Sequence, residues 1–289
     1  MRSTRSFEIT RADLVPKLSD PVALDFFGFT IRWYAIFILT GIVVALVVMR
    51  WLARYRGLDP DFPLDAAPFV ILAALIGARA YYLLLKWRYY LDHPGEAINI
   101  RLGGLTVHGA IVGGLLALWL YCRHRNQRFL TWGDILAAAL PLGQAIGRWG
   151  NWANQEAFGK PSTHPWAVEI DPIHRPEHYA SYSTFQPTFL YESICDVLIA
   201  IVLIVLVRAM PKHRFWREGD AIWIYCVLYG AVRFVIERMR TDSLTIGPYP
   251  AAYWLSWVLI SIGVVMFIGR RTVWSGTRVV DIPATGSAE

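Results

Sequence analysis

Apolar residues fall along this chain in long blocks, separated by polar stretches rich in arginine. Seven blocks read as helices, at about 28–50, 64–85, 104–122, 133–148, 188–208, 219–238 and 250–269. Most approach the roughly 20 apolar residues that a bilayer core requires. The fourth block is short and contains Pro141. Proline removes a backbone hydrogen bond, so a bent helix is expected there. A long polar stretch follows, about 149–187, with several prolines and histidines. A connection of that length is expected to be functional or to form a small exposed unit. The first 25 residues are polar, and the block behind them is too long for a signal-peptide core and lacks a small-residue cleavage site. It reads as a retained helix. The expected fold is an all-α integral membrane protein. Residues 1–271 would form one seven-helix bundle with an exposed segment between helices four and five, and residues 272–289 a short, polar, disordered tail.

Composition strengthens this reading. Of 289 residues, 55% are hydrophobic and 17% charged, where a soluble domain carries about 25% charge. The net charge of +6 does not point to nucleic acid, because no dense basic stripe with interleaved exposed aromatics is present. The arginines lie between apolar blocks, where they set topology. Arg50, Arg54 and Arg56 follow the first block, Arg123, Arg125 and Arg128 the third, and Arg208, Lys212, Arg214 and Arg217 the fifth; Arg270 and Arg271 open the tail. By the positive-inside rule these segments are cytoplasmic, which puts the N-terminus outside and the C-terminus in the cytoplasm. Lys86, Arg88 and Arg101 in the second loop weaken the contrast without reversing it. Cys122, Cys195 and Cys226 lie in or beside apolar blocks, with no disulfide framework and no metal spacing. They read as small buried hydrophobes.

Polar residues inside apolar blocks are costly in lipid unless they are paired or wet. Arg32 and Trp33 suit an interfacial belt at the outer end of helix one, followed by Tyr34. Arg79 lies deep in helix two and shares a face with Tyr82 and Lys86. His108 opens helix three beside the small residues Gly109, Ala110, Gly113 and Gly114, whose spacing allows close helix packing. Its ring is expected to have space and to face a cavity. On helix six, Tyr229, Arg233, Glu237 and Arg240 project within about 80° of one another. That face suits either a self-neutralising salt bridge or a phosphate, with extra positive charge left for an anion. Tyr191 and Glu192 enter helix five just below the outer surface, and Asp134 reads as an N-terminal charge on helix four.

Residues 147–159 are the densest polar run: Gly-Arg-Trp-Gly-Asn-Trp-Ala-Asn-Gln-Glu-Ala-Phe-Gly. Gly147, Gly150 and Gly159 would let the backbone turn sharply. Arg79, His108, Arg148, Asn151, Asn154, Glu156, Tyr191, Glu192, Arg233 and Glu237 all fall in the outer half of the expected bundle. Several arginines with one histidine suggest phosphate recognition combined with proton transfer.

This run resembles the defining motif of the prolipoprotein diacylglyceryl transferase family, Gly-Arg-x-Gly-Asn-(Phe/Trp)-x-Asn-x-Glu-x-(Phe/Trp)-Gly. The resemblance extends over nearly the whole chain. Arg32-Trp33-Tyr34, Gly77–Tyr82, His108-Gly109, Gln186–Glu192 and Tyr229–Arg240 are similar to the family's other motifs, in order. Two positions depart: Ala110 stands where the family usually has glycine, and Gln186 where it usually has histidine. A proton-transfer role at Gln186 is therefore not expected.

The resemblance implies a bacterial inner-membrane enzyme that needs no cofactor or metal. It would move the diacylglyceryl group of phosphatidylglycerol to the lipobox cysteine of a preprolipoprotein and release glycerol 1-phosphate. The thiol belongs to the substrate, which agrees with the bland placement of this chain's own cysteines. Mapped onto these residues, His108 is expected as the base, Arg148 and Arg233 as the phosphate clamp, and Asn151 as a hydrogen-bond donor. Arg79 would hold the headgroup or lock the site, and Tyr34 and Tyr229 would line the lipid cavity. Glu237 would orient Arg233 and Glu156 would orient Arg148. Gly147, Gly150, Asn154, Gly159, Tyr191, Glu192 and Arg240 would support them. The alternative, a transporter for an anionic solute, is disfavoured by the absence of a visible repeat. An intramembrane hydrolase is disfavoured by the absence of a Gly-x-Ser-x-Gly elbow.

Overall fold

The computed structural model describes residues 21–26, 29–99, 103–243, 245–274 and 277–279. Over these residues the chain forms helices α1 (Trp33–Tyr55), α2 (Phe62–Leu85), α3 (Trp87–Asp92), α4 (Val107–His124), α5 (Phe129–Ala153), α6 (Thr188–Ala209), α7 (Asp220–Glu237) and α8 (Ala251–Thr272). Five of the helical stretches are long and apolar enough to cross a membrane: Trp33–Tyr55, Phe62–Leu85, Phe129–Ala153, Thr188–Lys212 and Ala251–Thr272. The helices α4 and α7 have 18 residues each. Apolar side chains such as Val43, Phe69, Leu84 and Val265 are more than half exposed, which suits a surface bathed in lipid.

The all-α expectation needs one correction. Three short antiparallel strand pairs are present: β1 (Val22–Phe26) with β2 (Phe29–Arg32), β3 (Val168–Glu169) with β4 (Thr184–Phe185), and β5 (Thr245–Ile246) with β6 (Tyr249–Pro250). Each sits where the chain leaves or enters a long helix at the α1 N-terminal end of the bundle, hereafter the site end. Backbone groups without helical partners pair with each other there. The short helix α3 was also not expected.

The most extensive helix pairs, α2–α4, α1–α5, α5–α6 and α7–α8, pack antiparallel. Gly41 of α1 meets Gly143 of α5 so closely that a Cβ on Gly41 would stand 2.8 Å from the Gly143 carbonyl. In the α2–α4 pair, a methyl on Gly77 or Gly109 would collide with the other's carbonyl, and one on Gly113 with that of Ala73. The small-residue stripe of α4 is thus spent on close packing. The centre of the bundle is α5: 56% of its apolar window is buried, against 11–17% for α1, α2 and α8.

This burial explains a second correction. The fourth helix does not stop near residue 148 but runs from Phe129 to Ala153, continuing through Pro141. Packing against α1 and α6 outweighs the lost hydrogen bond. The exposed segment therefore begins after Ala153. It carries its own apolar cluster, Phe158, Val168, Ile170, Phe185 and Phe189.

At the opposite, basic end, Asp134 does not serve its own helix. It is fully buried and accepts hydrogen bonds from the backbone N–H groups of Gly219 (2.8 Å), Ala221 (2.9 Å) and Ile222 (3.3 Å). It thereby caps the first turn of α7, where Gly219 has φ +86°. The tail is not wholly free. The Thr277 carbonyl accepts from Glu218 N at 3.0 Å, Val279 N donates to the Trp216 carbonyl at 3.1 Å, and Val279 is buried in the main core.

Candidate active site

Glu192 is the hub of the site end. It lies in the second turn of α6 and is 3% exposed. Its Oε2 is 2.6 Å from Arg148 Nε on α5, and its Oε1 accepts a hydrogen bond from Arg233 Nη1 on α7 at 2.8 Å. Arg240 Nη1 approaches the same Oε1 at 3.8 Å. One carboxylate thus ties three elements together. Arg233 is held a second time, by Glu237 at 2.7 Å, the i, i+4 pair that the helix-six face predicts. Arg240 makes a two-pronged pair with Asp242.

The three arginines differ in what they leave open. Both Nη groups of Arg233 are engaged by carboxylates. Arg240 spends Nε and Nη2 on Asp242. Arg148 spends its Nε on Glu192 and hydrogen-bonds the Tyr229 side chain, while its Nη groups enter no carboxylate ion pair among the described residues and its side chain stays 21% exposed. Asn151 follows one turn later on α5. Its Nδ2 donates to Glu156 Oε1 at 3.1 Å, as does that of Asn154 at 3.2 Å. Glu156 therefore orients the two asparagines and forms no ion pair with Arg148 among the described residues, contrary to expectation. The spare positive charge expected here is also absent: Arg148, Arg233 and Arg240 face the buried carboxylates of Glu192, Asp196 and Glu237.

Asp196 was not anticipated. It lies one turn beyond Glu192, is 1% exposed, and has its Oδ2 3.9 Å from Arg148 Nε. An aspartate four residues after Glu192 in an otherwise apolar block was the available signal.

Of the motif glycines, Gly150 and Gly159 allow close approach, whereas a Cβ on Gly147 would meet nothing within 4 Å. Gly147 and Gly150 are helical, and Gly150 lets the Tyr34 ring of α1 lie against α5, where a Cβ would stand 2.6 Å from Tyr34 Cδ2. The left-handed residues that turn the chain are Gln155 and Ala157, at φ +50° and +57°. Gly159 pairs across to Arg240, and its N–H donates to the Gln186 carbonyl at 2.9 Å. Lys160 N donates to the Met239 carbonyl at 2.8 Å, and the Thr188 hydroxyl to the Ala157 carbonyl. The end of the motif is thus welded to the starts of α6 and the end of α7. Gln186 takes part through its backbone.

Other expected site residues lie elsewhere. Arg79 is buried, and its guanidinium donates to the carbonyls of Glu96, Ala97, Asn99, Gly103 and Gly104 at 2.8–3.3 Å. It locks the loop before α4 and has no donor to spare for a headgroup. His108 is exposed in the first turn of α4, with its ring 6.3 Å from that of Tyr81. Among the described residues no hydrogen bond or ion pair joins it to the arginine cluster, although α4 begins at the same end. Tyr191 accepts a hydrogen bond from Trp166 Nε1 at 2.7 Å, and so bears on the exposed segment. Tyr229 stacks on Tyr225 at 5.5 Å.

Comparison with known proteins decides the family. The family model described as prolipoprotein diacylglyceryl transferase matches residues 21–269. This chain belongs to that family. It is 42% identical over 233 residues to the phosphatidylglycerol–prolipoprotein diacylglyceryl transferase of Acaryochloris marina, covering 81% of this chain and 84% of that protein. It is 43% identical over 247 residues to the protein of the same name from Thermotoga petrophila, covering 85% and 83%. To that of Finegoldia magna it is 39% identical over 249 residues, covering 86% and 95%. The residues of the arginine cluster all fall within the matched span.

Proposed function

We propose that this protein transfers the diacylglyceryl group of phosphatidylglycerol to the lipobox cysteine of a prolipoprotein in the bacterial inner membrane. Family membership supports the activity. The observation that carries the mechanism is Arg148 itself, fixed from behind by Glu192 at 2.6 Å while its side chain stays 21% exposed and its Nη groups enter no carboxylate ion pair among the described residues. In the proposed topology seven helices span the bilayer, with the N-terminus outside and the C-terminus in the cytoplasm. The clustering of basic residues at one end of the bundle supports that sidedness. It puts Arg148 and the three hairpins in or above the outer leaflet.

The substrate thiol has an ordinary pKa of about 8.5, and its thiolate is the nucleophile. His108, exposed at the same end of the bundle, takes the thiol proton. Sulfur bonds to the glyceryl carbon, the carbon–oxygen bond to phosphate breaks, and its electron pair leaves with oxygen. The phosphate goes from a monoanionic diester to a dianionic monoester. Charge therefore accumulates on phosphate oxygens, where the free N–H groups of Arg148 and Asn151 meet it. Arg233 acts one step back by holding Glu192 against Arg148. Tyr34 and Tyr229 wall the lipid chains.

The test is purified enzyme with phosphatidylglycerol and a lipobox peptide, read by mass spectrometry. A mass gain of one diacylglyceryl group is expected, and its absence would reject the activity. Arg148→Ala should lose turnover while remaining folded. Full activity in His108→Gln would remove the base assigned here.

A further inference from the structure

Asp196 is the buried charge that the mechanism leaves unused. Its Oδ2 has no hydrogen-bond partner, and its one ion-pair contact, Arg148 Nε at 3.9 Å, lies much closer to Glu192 Oε2, at 2.6 Å. Asp196 thus adds little to holding Arg148. A buried carboxylate without a hydrogen bond is costly, and here it also opposes the anion that the site is built to receive. A site selected for affinity alone would carry an asparagine or an apolar residue at this position.

The charge of the ligand supplies a use for it. The substrate phosphodiester carries one negative charge and the product monoester close to two. An arginine that attracts both would hold the product harder than the substrate, and turnover would stall. A carboxylate behind that arginine, while ionised, repels each ligand in proportion to its charge. We infer that Asp196 sets product release: its buried carboxylate weakens the grip of Arg148 on the phosphomonoester product more than on the phosphodiester substrate. The inference rests on the reading of Arg148 as the phosphate ligand.

Adding the width of a guanidinium and one hydrogen bond to the 3.9 Å between Asp196 and Arg148 Nε puts a ligand phosphate on the far edge about 8 Å from Asp196. At an effective dielectric of about 20, less screening at an open site, that distance gives on the order of tenfold in affinity per unit of ligand charge. In the full-length enzyme, Asp196→Asn should lower KM for phosphatidylglycerol about tenfold. It should lower Ki for glycerol 1-phosphate about a hundredfold. Asp196→Glu restores the charge and should return Ki towards wild type. Should the asparagine variant fold poorly, Asp196→Ser carries the same expectation, and calorimetric binding of glycerol 1-phosphate reads it without turnover. A packing role would not produce the squared relation between the two constants. Equal factors, or an unchanged Ki, would overturn the inference. Arg148→Ala separates the two readings. If it leaves glycerol 1-phosphate affinity intact, the phosphate-ligand reading fails. If it weakens binding while Asp196→Asn changes nothing, only the release role fails.

Discussion

Arg148 and Arg233 both contact Glu192, yet their removal should have different consequences. Arg233 bridges two buried carboxylates, at 2.8 Å to Glu192 and 2.7 Å to Glu237, and each carboxylate side chain is 3–4% exposed. In Arg233→Ala, Glu192 keeps Arg148 at 2.6 Å, but Glu237 keeps no ion-pair partner among the described residues. Stripping one partner from a buried pair costs about 3–5 kcal/mol. Arg233→Ala should therefore lose most of its folded population as well as its activity. In Arg148→Ala, Glu192 keeps Arg233, and the weaker 3.9 Å contact to Asp196 is the other loss. A cost of about 1–2 kcal/mol is expected, with the fold intact. The assay is denaturant unfolding in one fixed detergent, followed by turnover per folded molecule. A companion variant, Arg233→Met with Glu237→Leu, removes the pair together. It should regain most of the stability, because apolar replacement of a buried pair is often neutral, while remaining inactive. Arg233→Ala as stable as wild type would refute the reasoning, as would a double variant no more stable than the single one.

Three further outcomes are expected. Asp134→Asn keeps the shape but turns a donor towards one of the three capped amides, so hydrogen exchange at Gly219, Ala221 and Ile222 should accelerate about a hundredfold. Unchanged protection would show that α7 caps itself. Arg79→Ala leaves five loop carbonyls without their donor. Limited proteolysis between residues 86 and 104 should quicken about tenfold or more, with cleavage elsewhere unchanged. Truncation after residue 276 removes buried Val279 and two backbone hydrogen bonds. It should cost about 3 kcal/mol in the unfolding midpoint analysis.

What the sequence made legible, and what it hid, follows from the range of each interaction. The apolar blocks placed the long helices to within a few residues, because lipid exposure and helix burial both write themselves in local composition. The Arg233–Glu237 pair was readable because its partners are four residues apart. The central role of Glu192 was not, since its arginine partners lie on other helices, 41 residues away in the case of Arg233. Arg79 was left open between headgroup ligand and lock for a different reason. Its partners are backbone carbonyls, which every residue type has, so no side-chain pattern marks them. The end of α5 was set too early because proline and glycine propensities were read without the burial that overrides them. The docked tail rests on one valine in a polar stretch, too small a signal to stand out.

The neutrality of the cluster bears on how the site recognises an anion. Three uncompensated arginines inside a membrane helix bundle would cost several kcal/mol each, so the carboxylates are a condition of folding. A neutral cluster offers little long-range attraction, and an incoming lipid gains mainly from short, directed hydrogen bonds in a region poor in water. In the proposed reading Arg148, whose Nη groups enter no carboxylate ion pair among the described residues, makes them together with Asn151. Glu192 creates that situation by occupying Nε of Arg148 and Nη1 of Arg233 at the same time, which leaves the two arginines unequal despite their similar surroundings. The same arrangement explains why the exposed motif is welded to both α6 and α7 through Gly159, Lys160 and Thr188. Arg148 is aimed correctly only while α5, α6 and α7 keep their spacing. The polar run after α5 holds that spacing at the end of the bundle where lipid packing alone would not.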